Sequence, residues 1–347
     1  MKYNSLQIIM LITCCMWCVT SCSSDSAYEP EADESVEMSF DVAPDSRAAT
    51  TLINEFSVYG DRKLQSDALD PIVIFNKTSV VNSDGTWRYD DIQHWYSKHE
   101  HSFVAVSPSA ALESDASPQY NGSGLSFAFT MPAYSGKEMQ NTQDKTDLYD
   151  VVAATHRRLF EKGDVVNAIS LRFGHLLSMV NFAPKLDDKS IKGDDYIQFH
   201  KLEISGLKTK AKISVTPAQL SGNRQTNNRL IEFTGHDGND KLTITFTEPK
   251  IIKNGQQLNL FADNDALIML PQSFEASSGA TVRFTYSFKD DPDNLKQGSI
   301  SLTGQEWKTG TVYNYNFTVD KIGLNLGTAT IKTWDSQIVP DINWKVE

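Results

Sequence analysis

Cysteine is confined to the start of this chain: Cys14, Cys15, Cys18 and Cys22 are its only four in 347 residues. Beyond residue 22 there is therefore no disulfide, no thiolate nucleophile and no Cys-ligated zinc site. Positive charge is scarce as well, with 32 Lys and Arg against 44 Asp and Glu, a formal net charge of −12. The basic residues do not gather into a stripe, which excludes a nucleic-acid partner, since phosphate recognition needs clustered Lys and Arg. After the N-terminus no apolar run reaches the roughly 18 residues of a membrane-spanning helix. Catalytic motifs are absent too: there is no GxSxG elbow, Walker-A loop or HExxH. The sequence nominates no catalytic residue, no metal ligand set and no cofactor, and it reads as a non-enzyme.

What is present begins with a leader. Lys2 precedes an apolar stretch from about Leu6 to Val19, broken only by Gln7 and Thr13, too short for a spanning helix and of the form of a secretory signal. Val19-Thr20-Ser21-Cys22 closes that stretch and resembles the lipobox of bacterial lipoproteins. The resemblance implies that residues 1–21 are removed and that Cys22 is acylated, palmitate included, as the first mature residue. Residues 22–35 are rich in Ser, Asp, Glu and Pro, a composition that cannot bury enough surface to order itself and reads as an acidic tether. Acidic residues so close to the acylated position resemble the surface-export signal of Bacteroidota lipoproteins.

From residue 36 onward the pattern is that of strands. Val36, Met38, Phe40 and Val42 alternate with Glu37, Ser39 and Asp41, and Leu125, Phe127, Phe129 and Met131 alternate with Ser126, Ala128 and Thr130. The same period of two runs through Leu242–Phe246, Val282–Phe288 and Tyr313–Val319, the mark of half-buried antiparallel strands. Turn clusters such as Asn82-Ser83-Asp84-Gly85 and His236-Asp237-Gly238-Asn239 separate shorter runs, and no long βαβ-type helix appears. The segment Ile169–Phe182 is read as a strand broken near Gly174. The charged stretch Arg157–Asp164 falls between two halves with about seven strand candidates each, the number a sandwich needs. The domain expectation is therefore an N-terminal β-sandwich over 36–160 and a C-terminal one over 161–347, within which 337–347 forms a possible donor-strand tail.

Two constellations hint at binding. His94, His99 and His101 lie together in HWYSKHEH; His-x-His could seat two imidazoles on one strand face as a zinc site begins, but no third ligand is specified, and polar loop histidines are the plainer reading. His175, in an apolar run, reads as a hydrogen-bonded core residue. Trp87 and Trp95 with Tyr89 and Tyr96 would favour a carbohydrate-stacking surface if they shared one exposed face; packing in sandwich cores is the commoner use of such residues.

The stretches Arg47-Ala48, Phe56-Ser-Val-Tyr-Gly60, Trp87-Arg-Tyr89 with Trp95, Asp147-Leu-Tyr-Asp150, Leu171-Arg-Phe-Gly-His175, Leu270-Pro-Gln272 and Trp307-Lys-Thr-Gly-Thr-Val-Tyr313 run through the chain in the order of the fimbrillin family, which it resembles: pilus subunits and related lipoproteins of Bacteroidota. The resemblance implies two tandem transthyretin-like antiparallel β-sandwich domains and a structural role in a cell-surface fimbrium on the outer membrane. It also implies assembly by strand exchange. A protease cuts between Arg47 and Ala48, the first strand (Val36, Met38, Phe40, Val42) leaves, and the C-terminal strand of another subunit fills its groove. Ile338, Pro340, Ile342, Trp344 and Val346 stand at alternate positions, so the tail has the period of the strand it would replace. The partners implied are other pilus subunits, the outer membrane through the lipid anchor, and host or bacterial surface ligands. A stalk, anchor or tip position stays open, as does a monomeric carbohydrate-binding surface lipoprotein.

Overall fold

The computed structural model describes residues 36–44, 53–65, 70–113, 115, 117–122, 124–131, 138–140, 150–165, 168–187, 193–261, 266–320 and 324–333. Cys22, Arg47, Ala48, Ile338, Pro340, Ile342, Trp344 and Val346, together with the leader and the tether, lie outside the described residues. The described chain is all-β, with two short 3-10 turns at Ser109–Leu112 and Ala276–Ser278. Among the described residues no helix is long and apolar enough to cross a membrane.

An eight-stranded sheet organises the first half. Its order is Phe40–Pro44, Ile169–His175, Val152–Phe160, His99–Ser107, Glu55–Leu64, Ile72–Ser83 and Thr86–Arg88, with Gln225–Thr226 also paired to Val152–Phe160. Both faces of its central strands are apolar because both are covered. One face carries Phe56, Val58, Phe103, Ala105, Ala154, Leu171 and Phe173 into a compact core with Met38, Phe40, Phe75 and Trp95. The other sends Tyr59, Val104 and Val106 into a larger core with Leu125, Phe127 and Phe129. Those three phenylalanine and leucine side chains come from a four-stranded sheet ordered Arg229–Asp237, Lys210–Pro217, Leu125–Thr130 and Gln119–Tyr120. Asp84 (φ 54) and Gly85 (φ 80) make the left-handed two-residue turn that joins Ile72–Ser83 to Thr86–Arg88, as Asp-Gly does in tight hairpins.

The second half pairs a sheet ordered Leu267–Met269, Ser178–Leu186, Thr311–Val319 and Leu324–Thr333 with another ordered Asp291–Ser301, Thr281–Phe288, Tyr196–Leu207, Asp240–Lys253 and Glu138–Gln140. Alternate residues meet between them: Phe284 packs at a tilt 4.8 Å from Phe317 and edge-on 5.6 Å from Phe182. At one end the indole Nε1 of Trp307 donates to the Tyr315 hydroxyl at 2.8 Å, with both side chains buried.

Three features add detail to the sequence reading. The charged stretch from Arg157 begins inside the strand Val152–Phe160, and Arg157 is 3% exposed, with its guanidinium 3.5 Å from Glu100. Hydrogen-bonded pairing joins Ile169–His175 to Val152–Phe160 and Lys210–Pro217 to Leu125–Thr130. The sheets are also not purely antiparallel. Phe40–Pro44 on Ile169–His175, Ser178–Leu186 on Thr311–Val319, and Glu138–Gln140 on Asp240–Lys253 are parallel ladders, possible because their strands lie far apart in the chain and need no tight turn between them. The break in Ile169–Phe182 falls at Leu176 and Leu177, two residues beyond Gly174.

Candidate functional site: the groove of the first strand

Residues 36–44 lie along the mouth of the compact core, at the edge of the eight-stranded sheet. The alternation read from the sequence decides which side faces in: Met38 is 2% and Phe40 6% exposed, Val36 and Val42 are partly buried, and Glu37, Ser39 and Asp41 point to solvent. Phe40 is the central knob, with its ring centroid 5.6 Å from Phe56, 5.8 Å from Phe75 and 5.4 Å from Tyr89. Burying Met38 and Phe40 is worth about 3–6 kcal/mol, with the two valines adding less.

The backbone is bonded on two sides. Phe40–Pro44 runs in register with Ile169–Phe173, and the Ile169 N–H donates to the Ser39 carbonyl at 2.7 Å. Upstream, the Met38 N–H donates to the Gln93 carbonyl at 2.8 Å and the Trp95 N–H to the Val36 carbonyl at 3.0 Å. The Tyr89 hydroxyl donates to the Met38 carbonyl at 2.7 Å. Burial, the largest influence, raises the Tyr89 pKa, and Glu37 adds to it, so the phenol keeps the proton it donates. The arrangement holds one extended segment by backbone bonds and side-chain pockets, the two elements of strand binding at a sheet edge.

The other candidates resolve differently. His99 and His101 are not loop residues. They open the strand His99–Ser107 and are 3% and 0% exposed. Burial drives the His101 pKa down to about 3 and lowers that of His99, with neighbouring Arg62 adding to both. Both are neutral packing residues: His101 lies 4.9 Å from Trp95 and 6.5 Å from Phe103, ring to ring. Among the described residues no three His, Cys, Asp or Glu side chains are grouped to hold a metal. His175 is the buried, hydrogen-bonded core residue its apolar surroundings suggest, and its Nδ1 meets Asp150. Trp95 is 1% exposed, Trp87 packs 5.2 Å from Phe56, and Tyr89 turns toward Phe40. Trp95, Trp87 and Tyr89 thus face the core, and the Tyr96 ring is covered by the Arg62 guanidinium 3.2 Å from its centroid, so the four offer no shared stacking surface. Sequence reasoning missed the grip supplied by 89–95. Its only trace there is the Trp87-Arg-Tyr89 stretch, which carries no spacing that would tie it to Met38.

The model of the fimbrillin-like family matches residues 46–334. The chain belongs to the fimbrillin-like family. Among solved structures, this fimbrillin-like chain is similar to a fimbrial protein from Bacteroides vulgatus, with a TM-score of 0.57 and 14% identity over 86% of this chain and 99% of that one. It also matches a fimbrial assembly protein from Parabacteroides distasonis at a TM-score of 0.40 and 11% identity, covering 87% of this chain and 97% of that one. At such identities the first likeness speaks for the fold alone. Comparison with curated proteins gives no match.

Proposed function

We propose that this fimbrillin-like chain is a structural, non-catalytic subunit of a cell-surface fimbrium, exported as a lipoprotein acylated at Cys22 and joined to its neighbours by strand exchange after cleavage between Arg47 and Ala48. Membership of the family supports the fimbrial and adhesive role. The observation that carries the exchange reading is the docked first strand: an edge segment, bonded through its backbone, with Arg47 three residues beyond the end of its ladder at Pro44. A cut there would leave the strand held by non-covalent contacts alone. Its inward side chains are Val36, Met38, Phe40 and Val42, whereas the tail offers Ile338, Pro340, Ile342, Trp344 and Val346 at the same spacing. A tail that seats its tryptophan and isoleucines buries at least as much apolar surface as the strand it replaces, which drives exchange forward.

In this reading the subunit is stalk-like, since it has both a cleavable first strand and an alternating tail, and its partners are further copies or related subunits. Two tandem transthyretin-like sandwiches are compatible with the sheets described. An exposed glycan platform has no comparable support, because Trp95 is buried and Trp87 and Tyr89 pack inward. The test is Arg47→Ala in the native host. The parent is expected to give laddering assemblies and a shortened subunit, and the variant a lipidated, full-length, unassembled chain; equal assembly would refute cleavage-triggered joining. In the uncleaved Arg47→Ala background, adding Cys22→Ala is expected to abolish acyl labelling and membrane fractionation, and retained fractionation would refute the anchor.

A further inference from the structure

The two halves of the first strand are held by unlike devices. Phe40–Pro44 rests on a parallel ladder, an exposed sheet edge that any extended chain can pair with. Residues 36–38 are instead gripped by 93–95, and there one strand carbonyl is read by a side chain, the Tyr89 hydroxyl on Met38 at 2.7 Å. That hydroxyl also accepts from the Gln93 N–H at 3.3 Å, so a single oxygen links the strand to the loop that grips it. The ring is fixed edge-on to Phe40 and Phe75, at 5.4 and 5.3 Å. The loop keeps its own shape: Asp91 sits in the left-handed region at φ 57, and the Gln93 side-chain amide donates to the Asp91 carbonyl at 2.8 Å. None of those internal bonds uses the first strand, which leaves the grip preformed for another occupant.

We propose that residues 89–95 are a clasp that selects and retains the strand lying in the groove, with Tyr89 as its positioning residue, and that it closes on the tail of a second copy as it closes on residues 36–40. The second part rests on the strand-exchange reading above. The clasp adds what the ladder lacks. It requires an occupant that extends several residues past the ladder, places a bulky apolar side chain against the Tyr89 ring, and presents a carbonyl to the hydroxyl. The residue that Tyr89 reads must also give its N–H to the Gln93 carbonyl, as Met38 does, so proline is excluded from that one position and Pro340 would have to lie at another.

The test uses the full chain, Tyr89→Phe and two readouts. The variant keeps the ring and removes only the hydroxyl. Hydrogen exchange should accelerate about 10-fold at the Met38 and Trp95 amides, the effect of losing one ordinary hydrogen bond, with the Thr311–Val319 amides unchanged. Unchanged rates at Met38 and Trp95, or equal acceleration everywhere, would overturn the clasp. The second readout adds a labelled peptide of residues 336–347 to chains already cut at Arg47. It should leave the Tyr89→Phe chain about 10-fold faster than the parent. Equal dissociation from both chains would overturn the clasp's role toward the tail. A peptide that never enters the cut parent, beside accelerated Met38 and Trp95 amides, would defeat the exchange reading and leave the clasp as a device for the first strand alone.

Discussion

Replacing Phe40 by alanine is the most direct probe of whether the first strand is a separable element. The ring is 6% exposed and meets three aromatic neighbours, Phe56, Phe75 and Tyr89. Buried Phe→Ala changes cost about 3–5 kcal/mol. An edge position lets neighbours relax into part of the space, so the lower end, about 3 kcal/mol, is expected. Because the backbone bonds of this strand form and break with its docking, the loss falls on the local opening of 36–44 before it falls on global unfolding. At about 1.4 kcal/mol per factor of ten, the open population rises roughly 100-fold. The Ile169 amide reports it directly, since its N–H donates to the Ser39 carbonyl and is freed only when the strand leaves. Native-state hydrogen exchange should show that amide accelerating by about two orders of magnitude while the amides of Thr311–Val319 keep their rates. If both sets accelerate together, the strand opens only with the whole molecule, and the reasoning that treats it as exchangeable fails. The contrast is Val42→Ala: Val42 is partly exposed, and its loss should change the Ile169 rate by less than about 10-fold.

Three further changes test other parts of the fold. Asp61 is 2% exposed and accepts a hydrogen bond from the Tyr120 hydroxyl; burial, the largest cause, pushes its pKa up from 3.8 to about 6. A raised folded-state pKa means a contribution fully present below about pH 4 that is lost as pH rises through 6, so Asp61→Asn should be more stable than the parent at pH 7.5, by up to about 3 kcal/mol, and lose that advantage near pH 4; urea unfolding at the two pH values measures it, and a pH-independent difference would count against it. A methyl group at Gly60 would sit 2.8 Å from Phe103 and 3.1 Å from Phe75, both fully buried rings, so Gly60→Ala should lower stability by about 1–3 kcal/mol, read as a shift in urea midpoint. Tyr315→Phe leaves the buried Trp307 N–H without its acceptor and should cost about 1–3 kcal/mol, visible as a lower thermal midpoint; an unchanged midpoint would mean that this bond contributes nothing net.

Period-two alternation proved a good guide to which residues face a core. Leu125, Phe127, Phe129 and Met131 are all buried, as are Tyr313, Tyr315, Phe317 and Val319, and Met38 and Phe40 point inward as their spacing requires. Alternation encodes faces, however, and not partners. Nothing in Val36–Val42 indicates that its ladder neighbour starts at Ile169, or that Lys210–Pro217 leaves the second half of the chain to pair with Leu125–Thr130. Local charge misled for the same reason. Arg157 opens a charged stretch yet lies within a central strand, where Glu100 stands beside it across the ladder, and His99 and His101 are tolerated inside because they are held neutral among aromatic rings. The site divides in the same way: the strand could be read from the sequence, whereas Tyr89 and 93–95 become a grip only once the chain folds back on itself.

The parallel ladder between Phe40–Pro44 and Ile169–Phe173 also sets an order of events. A strand this early in the chain has no edge to lie on until a segment roughly 130 residues later has folded, and contacts of such long sequence separation form slowly. The N-terminal segment is thus the last part of its sheet to find a place. Until Ile169–His175 is in place there is no ladder for any extended segment to join, so the pockets that Met38 and Phe40 fill come into being only late in folding.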